Sequence, residues 1–346
     1  MNGEQAAAVL TALEARSPMV FGERATRVEP IAIFDRPYST VIRILVLNDG
    51  GVPSYAFVKI YKVRPARPYE APREPADVVR EEFAATMRLH EALAGRPGLV
   101  SPRPIASLPE HAAIVTQELQ GTPFDRLLRL RRRRTRVPTL EAIATRIGAW
   151  LRAYQGSAAA AGVWSAAAAR AYLDDRLRHL TRALGETARV RALAAFDRIA
   201  SELPGAPESL VPIHADLCPG NIMVTPGGGV AVLDFATAQT GTRYHDVSHL
   251  YMHLQLARGR ARRRGLALEP VQRTLLAAFD RPEAIRHPLF RLMLLQHVVC
   301  HVTQLADGPG WGSGLALRTL ARWRWRVCLA MPALATPPVF GALRAA

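Results

Sequence analysis

At 346 residues, with 49% hydrophobic and 21% charged residues, the chain has room for one large two-lobed unit or two domains and is not a disordered segment. Three widely spaced cysteines, Cys218, Cys300 and Cys328, offer neither a disulfide framework nor a zinc-ligand spacing, and a reducing, cytoplasmic setting is expected. The net charge of +16 is unevenly placed: residues 1–118 hold 14 basic and 14 acidic side chains, residues 119–346 hold 31 and 15, so an anionic partner or an Arg-rich solvated surface belongs to the later part.

In chain order, the opening "MNGEQAAAVLTALEARS" carries Glu4 and Glu14 and lacks a basic start before its apolar stretch, so it is not expected to be a secretion signal. No window is apolar for long enough to predict a membrane span; the best candidates, within 157–169 and 288–302, are Ala-rich or broken by Arg and His. Residues 26–62 predict three antiparallel strands, with β-branched and aromatic enrichment and an Asp-Gly turn at 49–50. A Pro-rich connection precedes a helix predicted over 76–94, with Val79, Phe83, Met87 and Leu89 on one side. Two short strands around a turn follow within 101–119. From Leu127 onward the spacing is helical, except at 211–235. The expected organisation is a sheet-plus-helix part over 1–118 and a mainly helical part over 119–346, an α+β fold.

The chemistry concentrates in "HADLCPGNIMV" at 214–224 and "VAVLDF" at 230–235. Asp216 and Asp234 each sit beside a strand-like apolar run, where an uncompensated carboxylate costs several kcal/mol, about enough to demand a partner or a metal. Of 45 basic residues only Lys59 and Lys62 are lysine, and both fall in "AFVKIYK". A position that rejects Arg suits a phosphate-binding lysine, a compact charge on a slim stem. Singly, each piece has an ordinary reading: an edge lysine, a loop His-Asp pair, a helix N-cap at Asp246. Their joint order and spacing is specific.

Together these pieces resemble the protein-kinase-like fold, in its aminoglycoside phosphotransferase and choline kinase branch. The matching stretches are "AFVKIYK", the helix Glu in "REEF", the hinge-like "IVTQELQGTPFDRLL", the loop "HADLCPGN", the "LDF" and "YHDVSHL", covering about residues 26–255. The resemblance implies a bilobal enzyme that uses ATP or another nucleoside triphosphate with Mg2+. It implies that Asp216 takes or orients the acceptor hydroxyl's proton, with His214 bracing the loop by hydrogen bonding. Asn221 and Asp234 would hold the metal, and Lys59, paired with Glu82 rather than Glu81, would hold the phosphates. Glu118 would line the nucleotide-binding hinge, and Asp246 would brace the catalytic loop. One departure stands out: "FDRPYST", where a phosphate-covering loop belongs, contains no glycine, so Ser39 and Thr40 are expected to offer the donors.

Only ten residues separate Phe235 from Asp246, too few for the peptide-holding segment of a protein kinase, so a small-molecule or lipid-linked acceptor is expected. Beyond Asp246 stand Glu269, Asp280, Glu283 and Asp307 against fourteen Arg, which disfavours a polycationic acceptor and favours an anionic or sugar-like one. Arg clusters at 129–136, 258–264 and 321–327 could meet an anionic membrane surface from the cytoplasmic side, the last with Trp323 and Trp325, although burial of these Trp is their commoner use. No nucleic-acid motif accompanies them. The alternatives are a nucleotide-sensing or membrane-associated pseudokinase module, suggested by the glycine-free loop and basic half, and an atypical protein kinase.

Overall fold

The computed structural model describes residues 3–22, 25–63, 73–129, 139–159, 162–205 and 207–307. The clusters at 130–136 and 321–327, with Trp323, Trp325 and Cys328, lie outside the described residues. The chain divides into two compact units, the first within residues 1–122 and 223–238, the second within 123–222 and from 239 onward.

The first unit opens with helices α1 (Gly3–Ala15) and α2 (Ser17–Phe21), then strands β1 (Ala25–Asp35), β2 (Ser39–Asn48) and β3 (Ser54–Tyr61). Helix α3 (Pro75–Leu93) follows, then β4 (Leu99–Val100), β5 (Pro104–Leu108) and β6 (Ala113–Gln117). The five long strands form an antiparallel sheet of order β1-β2-β3-β6-β5. Strand periodicity assigns its two faces. Ile42, Ile44, Val46, Val58 and Ile60 pack with Ala6, Val9 and Leu13 of α1. On the opposite parity, Tyr61 and Ile114 pack against Val79 of α3. Lys59 shares that second parity, so the alternation that buries Val58 and Ile60 under α1 turns Lys59 toward the α3 side.

The α3 stripe differs from the one its apolar residues predict. Val79, Glu82, Ala85, Thr86, Leu89 and Leu93 are its buried positions, while Phe83 and Met87 lie at the half-buried margin. A carboxylate occupies the inward stripe at 82, so an apolar-only reading of the periodicity rotates the helix face by about one residue.

Residues 223–238 join the first unit through a small sheet of order β4-β10-β9-β7, comprising β7 (Thr122–Pro123), β9 (Ile222–Val224) and β10 (Val230–Val232) beside β4. In it β10 runs parallel to β4, Val230 opposite Leu99 and Ala231 opposite Val100. A Cβ on Gly121 would stand 2.7 Å from the Val224 carbonyl oxygen, so glycine is required where the chain passes β9.

The second unit is helical around a two-stranded ribbon. It contains α4 (Phe124–Leu127), α5 (Leu140–Gln155), α6 (Ala166–Leu184), α7 (Glu186–Ser201), β8 (Val211–Ile213), β11 (Gln239–Gly241), α8 (His245–Arg262), α9 (Glu269–Phe279) and α10 (Pro288–Asp307). Thr139 and Ser165 cap α5 and α6 by accepting from the Ala142 and Ala168 amides. Helices α5 and α9 touch at Gly148, where an added Cβ would lie 2.6 Å from that of Ala278. Strand β8 pairs antiparallel with β11, anchoring the start of the 214–221 loop.

Candidate active site

In the first unit, three sequence-predicted residues meet around one ammonium. Lys59 Nζ donates to both carboxylate oxygens of Glu82 at 3.2 Å and to Asp234 Oδ1 at 2.5 Å. Glu81, one residue away, pairs instead with Arg73. Glu82 is buried, Lys59 nearly so, and the Asp234 side chain is 47% exposed. The pocket therefore holds one cation between a buried orienting carboxylate and a half-open one. Burial is the strongest influence on Lys59 and opposes its charge, yet the adjacent Glu82 and Asp234 carboxylates outweigh it and hold the ammonium above the ordinary lysine range. Burial drives the Glu82 carboxyl upward, and the Lys59 charge offsets only part of that. Asp234 stands two residues beyond the end of β10 and has a left-handed backbone, φ 69°. Strain of this kind in a non-glycine residue persists only where the surrounding structure enforces it.

The 35–40 loop is a tight turn. The Arg36 amide donates to the Ser39 carbonyl at 2.9 Å, and Asp35 lies opposite Thr40 in the ladder. Thr40 is buried and its hydroxyl donates to Asp35 Oδ1 at 2.8 Å, so the donor expected to face a phosphate is committed inside the loop. Ser39 borders the core at the start of β2. Glu118 is held at its place after β6: its amide donates to the Tyr55 carbonyl at 3.0 Å, and its carboxylate pairs with Arg43 at 2.9 Å. Arg43 also stacks on the Tyr55 ring, 4.5 Å from its centre. This clamp was not signalled by any motif, because it joins β2, β3 and β6 only through register.

In the second unit, Asp246 is the second residue of α8, not its N-cap, and its carboxylate serves the 214–221 loop. It is fully buried and accepts from the His214 amide at 2.8 Å and the Ala215 amide at 2.9 Å. Burial pushes its pKa up, but His245, His214 and the donated amide outweigh that and hold it below the ordinary carboxylate range. The Asp216 amide donates to His214 Nδ1 at 3.3 Å, so the buried His214 ring supports the loop from within. Asn221 Nδ2 donates to the Asp216 carbonyl at 2.9 Å and to Asp216 Oδ2 at 3.2 Å, folding the Pro-Gly bend back onto its own aspartate. Ala215 adopts φ 64°, a left-handed residue between His214 and Asp216. Of the three non-glycine residues with positive φ among those described, two therefore stand at these stretches.

A scan against protein-family models matches residues 48–284, more than half of the chain, to the phosphotransferase enzyme family, APH. The chain belongs to that family and is a kinase-type phosphotransferase. No curated protein sequence matches it. Among solved structures, a choline/ethanolamine kinase family protein from Mesorhizobium loti is similar with a TM-score of 0.57 and 17% identity, covering 100% of both chains. Choline kinase LicA from Streptococcus pneumoniae is similar with a TM-score of 0.55 and 12% identity over 91% of this chain and 98% of its own. A thermostable mutant of aminoglycoside phosphotransferase APH(4)-Ia, in a ternary complex with AMP-PNP and hygromycin B, has a TM-score of 0.54 and 13% identity over 92% of this chain and 100% of its own. At these identities the likeness establishes the protein-kinase-like α+β fold, an antiparallel-sheet part followed by a helical part.

Proposed function

We propose that this phosphotransferase moves the γ-phosphate of ATP, or another nucleoside triphosphate, onto a hydroxyl of a small-molecule or lipid-linked acceptor that is anionic or sugar-like. The observation that carries the reading is the Lys59 ammonium, fixed by both oxygens of buried Glu82 and touching the half-exposed Asp234. Phosphoryl transfer needs positioning and charge neutralisation more than covalent help. Lys59, aimed by Glu82, would hold the α- and β-phosphates. Asp216, kept in place by His214 and Asn221 on a loop tied to Asp246, would take the acceptor's proton as its oxygen attacks the γ-phosphorus and the nucleoside diphosphate leaves. Asp234 and Asn221 carry carboxylate and amide oxygens, hard donors of the kind that would suit Mg2+, which usually takes one or two protein carboxylates and completes its shell with phosphates and water. When bound, Mg2+ would neutralise charge on the phosphate oxygens. The AMP-PNP held by the APH(4)-Ia relative supports the nucleotide assignment.

The acceptor class rests on charge. Of the acidic residues beyond Asp246, Glu269 pairs with Arg258, and Asp280 accepts from the Tyr244 hydroxyl at 2.7 Å and pairs with Arg243. Carboxylates already committed within the chain are poor anchors for a polycation. Among the described residues no helix is long and apolar enough to cross a membrane.

The test is transfer of labelled γ-phosphate from ATP into a host-cell extract, separated into lipid, protein and small soluble fractions, with Asp234→Ala as control. Label in the lipid or soluble fraction that disappears with the variant is the expected result. Label confined to protein would make the chain an atypical protein kinase, and no label anywhere would make it a nucleotide-sensing module.

A further inference from the structure

The second of the two lysines has no role in the reading above. Lys62 follows β3 directly. Its Nζ donates to Asp35 Oδ1 at 2.7 Å and to the Arg36 carbonyl at 2.5 Å, while its amide donates to the Tyr38 carbonyl at 3.1 Å. Asp35 Oδ1 also receives the Thr40 hydroxyl, so one carboxylate ties both ends of the turn to the end of β3. The Lys62 hydrogen bond, followed by that of Thr40, holds the Asp35 carboxyl below its ordinary range, which keeps the clip charged near neutrality.

We propose that Lys62 is a positioning residue for the nucleotide: its ammonium sets the shape of the glycine-free 35–40 loop, doing by a polar clip what glycines do in other phosphate-covering loops. The proposal deepens the nucleotide-binding reading and rests on it. A flexible glycine turn closes over phosphates because its backbone is permissive. The Arg36–Tyr38 turn, with Pro37 inside it, has little such freedom and must be held in its working shape. Lysine suits the task better than arginine. One nitrogen has to reach a carboxylate oxygen and a backbone carbonyl together, and an ammonium offers three rotatable N–H bonds from a single atom. A guanidinium spreads its donors over a planar fork matched to the two oxygens of one carboxylate. In a chain that otherwise uses arginine for its positive charge, Lys62 then sits where a fork would not fit.

The experiment measures nucleotide affinity by calorimetry, and kcat and nucleotide KM by phosphate transfer, for the wild type, Lys62→Met, Lys62→Arg and Thr40→Val. Lys62→Met is expected to raise nucleotide KM and Kd about tenfold, the effect of losing charge-assisted hydrogen bonds, with kcat within about twofold of the wild type. Lys62→Arg should resemble Met, because charge without the single-atom geometry does not rebuild the clip. Thr40→Val should shift KM in the same direction and serves if Lys62→Met does not fold. Hydrogen exchange at the amides of Arg36, Tyr38 and Ser39 should accelerate in each variant, which a general loss of stability would not confine to the loop. A wild-type KM in Lys62→Arg would overturn the geometric claim in favour of charge alone. Unchanged KM in Lys62→Met and Thr40→Val would overturn the proposal while leaving the nucleotide reading intact. A wild-type protein that binds no nucleotide would overturn both.

Discussion

The Lys59–Glu82 pair is the most buried ion pair among the described residues of the first unit. A carboxylate as buried as Glu82 is tolerable only with its ammonium in place; removing one partner of a buried pair costs about 3–5 kcal/mol. Lys59→Met is therefore expected to lose transfer activity and about 3 kcal/mol of stability at pH 7.5. The sign of its pH dependence follows from Glu82. Its folded pKa is already raised, and without the ammonium it rises further, so the folded state binds a proton the unfolded chain releases near the ordinary value. The deficit relative to the wild type should shrink as the pH falls toward 5.5. Urea unfolding of both proteins at the two pH values checks it, and an equal deficit at both would show that Glu82 is not the group left unpaired. The choice of Glu82 over Glu81 was legible in the sequence only in outline: it leaned on Met87, which lies at the half-buried margin, and the packing of α3 settles it. The commitment of Thr40 to Asp35 was not, since a hydroxyl's partner depends on which strand lies opposite.

At the scale of elements, helices α8 and α10 share a run of imidazoles that motif reading passed over. His245, His249 and His253 recur every fourth residue on α8, and His297 and His301 do so on α10. The His245 and His297 rings lie 4.5 Å apart, His297 stacks on His249 at 4.6 Å, and His249 Nε2 is 3.2 Å from His253 Nε2. Burial, reinforced by the neighbouring imidazoles, holds His249 and His297 well below the ordinary histidine range, and burial takes His253 down to about 4. These groups are neutral in the folded state and charge on unfolding, so the unfolded chain binds more protons between the folded values and about 6.5. Stability should fall as the pH drops from about 6.5 toward 4, and His253→Leu should flatten that slope. Urea titrations at pH 7, 5.5 and 4.5 measure it; a slope unchanged in the variant would remove His253 from the account. The spacing was visible in the sequence, but only the packing of α8 on α10 turns two ordinary periodicities into one ladder. The first helix offers a similar case. Ala6, Val9 and Leu13 form its buried stripe, a signal that testing the segment only as a secretion signal leaves unused.

For the whole molecule, the charge of residues 119–346 is the largest unexplained feature of composition. Arg260, Arg262 and Arg263 are exposed around the C-terminal end of α8, where the helix dipole also favours cations and an anionic surface would find them. The expected outcome is binding to vesicles of phosphatidylglycerol mixed with phosphatidylcholine at low salt, weakening steeply as ionic strength rises toward about 1 M, where the screening length falls to about 3 Å. Vesicle co-sedimentation measures this. Binding that ignores salt, or equal binding to neutral vesicles, would show that charge is not what attracts the protein to lipid.

What local chemistry controls was readable along the chain. Strand alternation, the Asp-Gly turn and the spacing of His214, Asp216, Asn221 and Asp234 are covalent facts, and they were enough to indicate the α+β fold and the enzyme class. Which side chains share a hydrogen bond across distant segments emerged from packing alone. Asp234 reaches Lys59 over 175 positions, Glu118 reaches Arg43 over 75, and Asp246 holds a loop 32 residues away. Such pairings depend on strand register and helix phase, where a shift of one residue turns a side chain to the other face. Periodicity narrows that choice, and packing completes it.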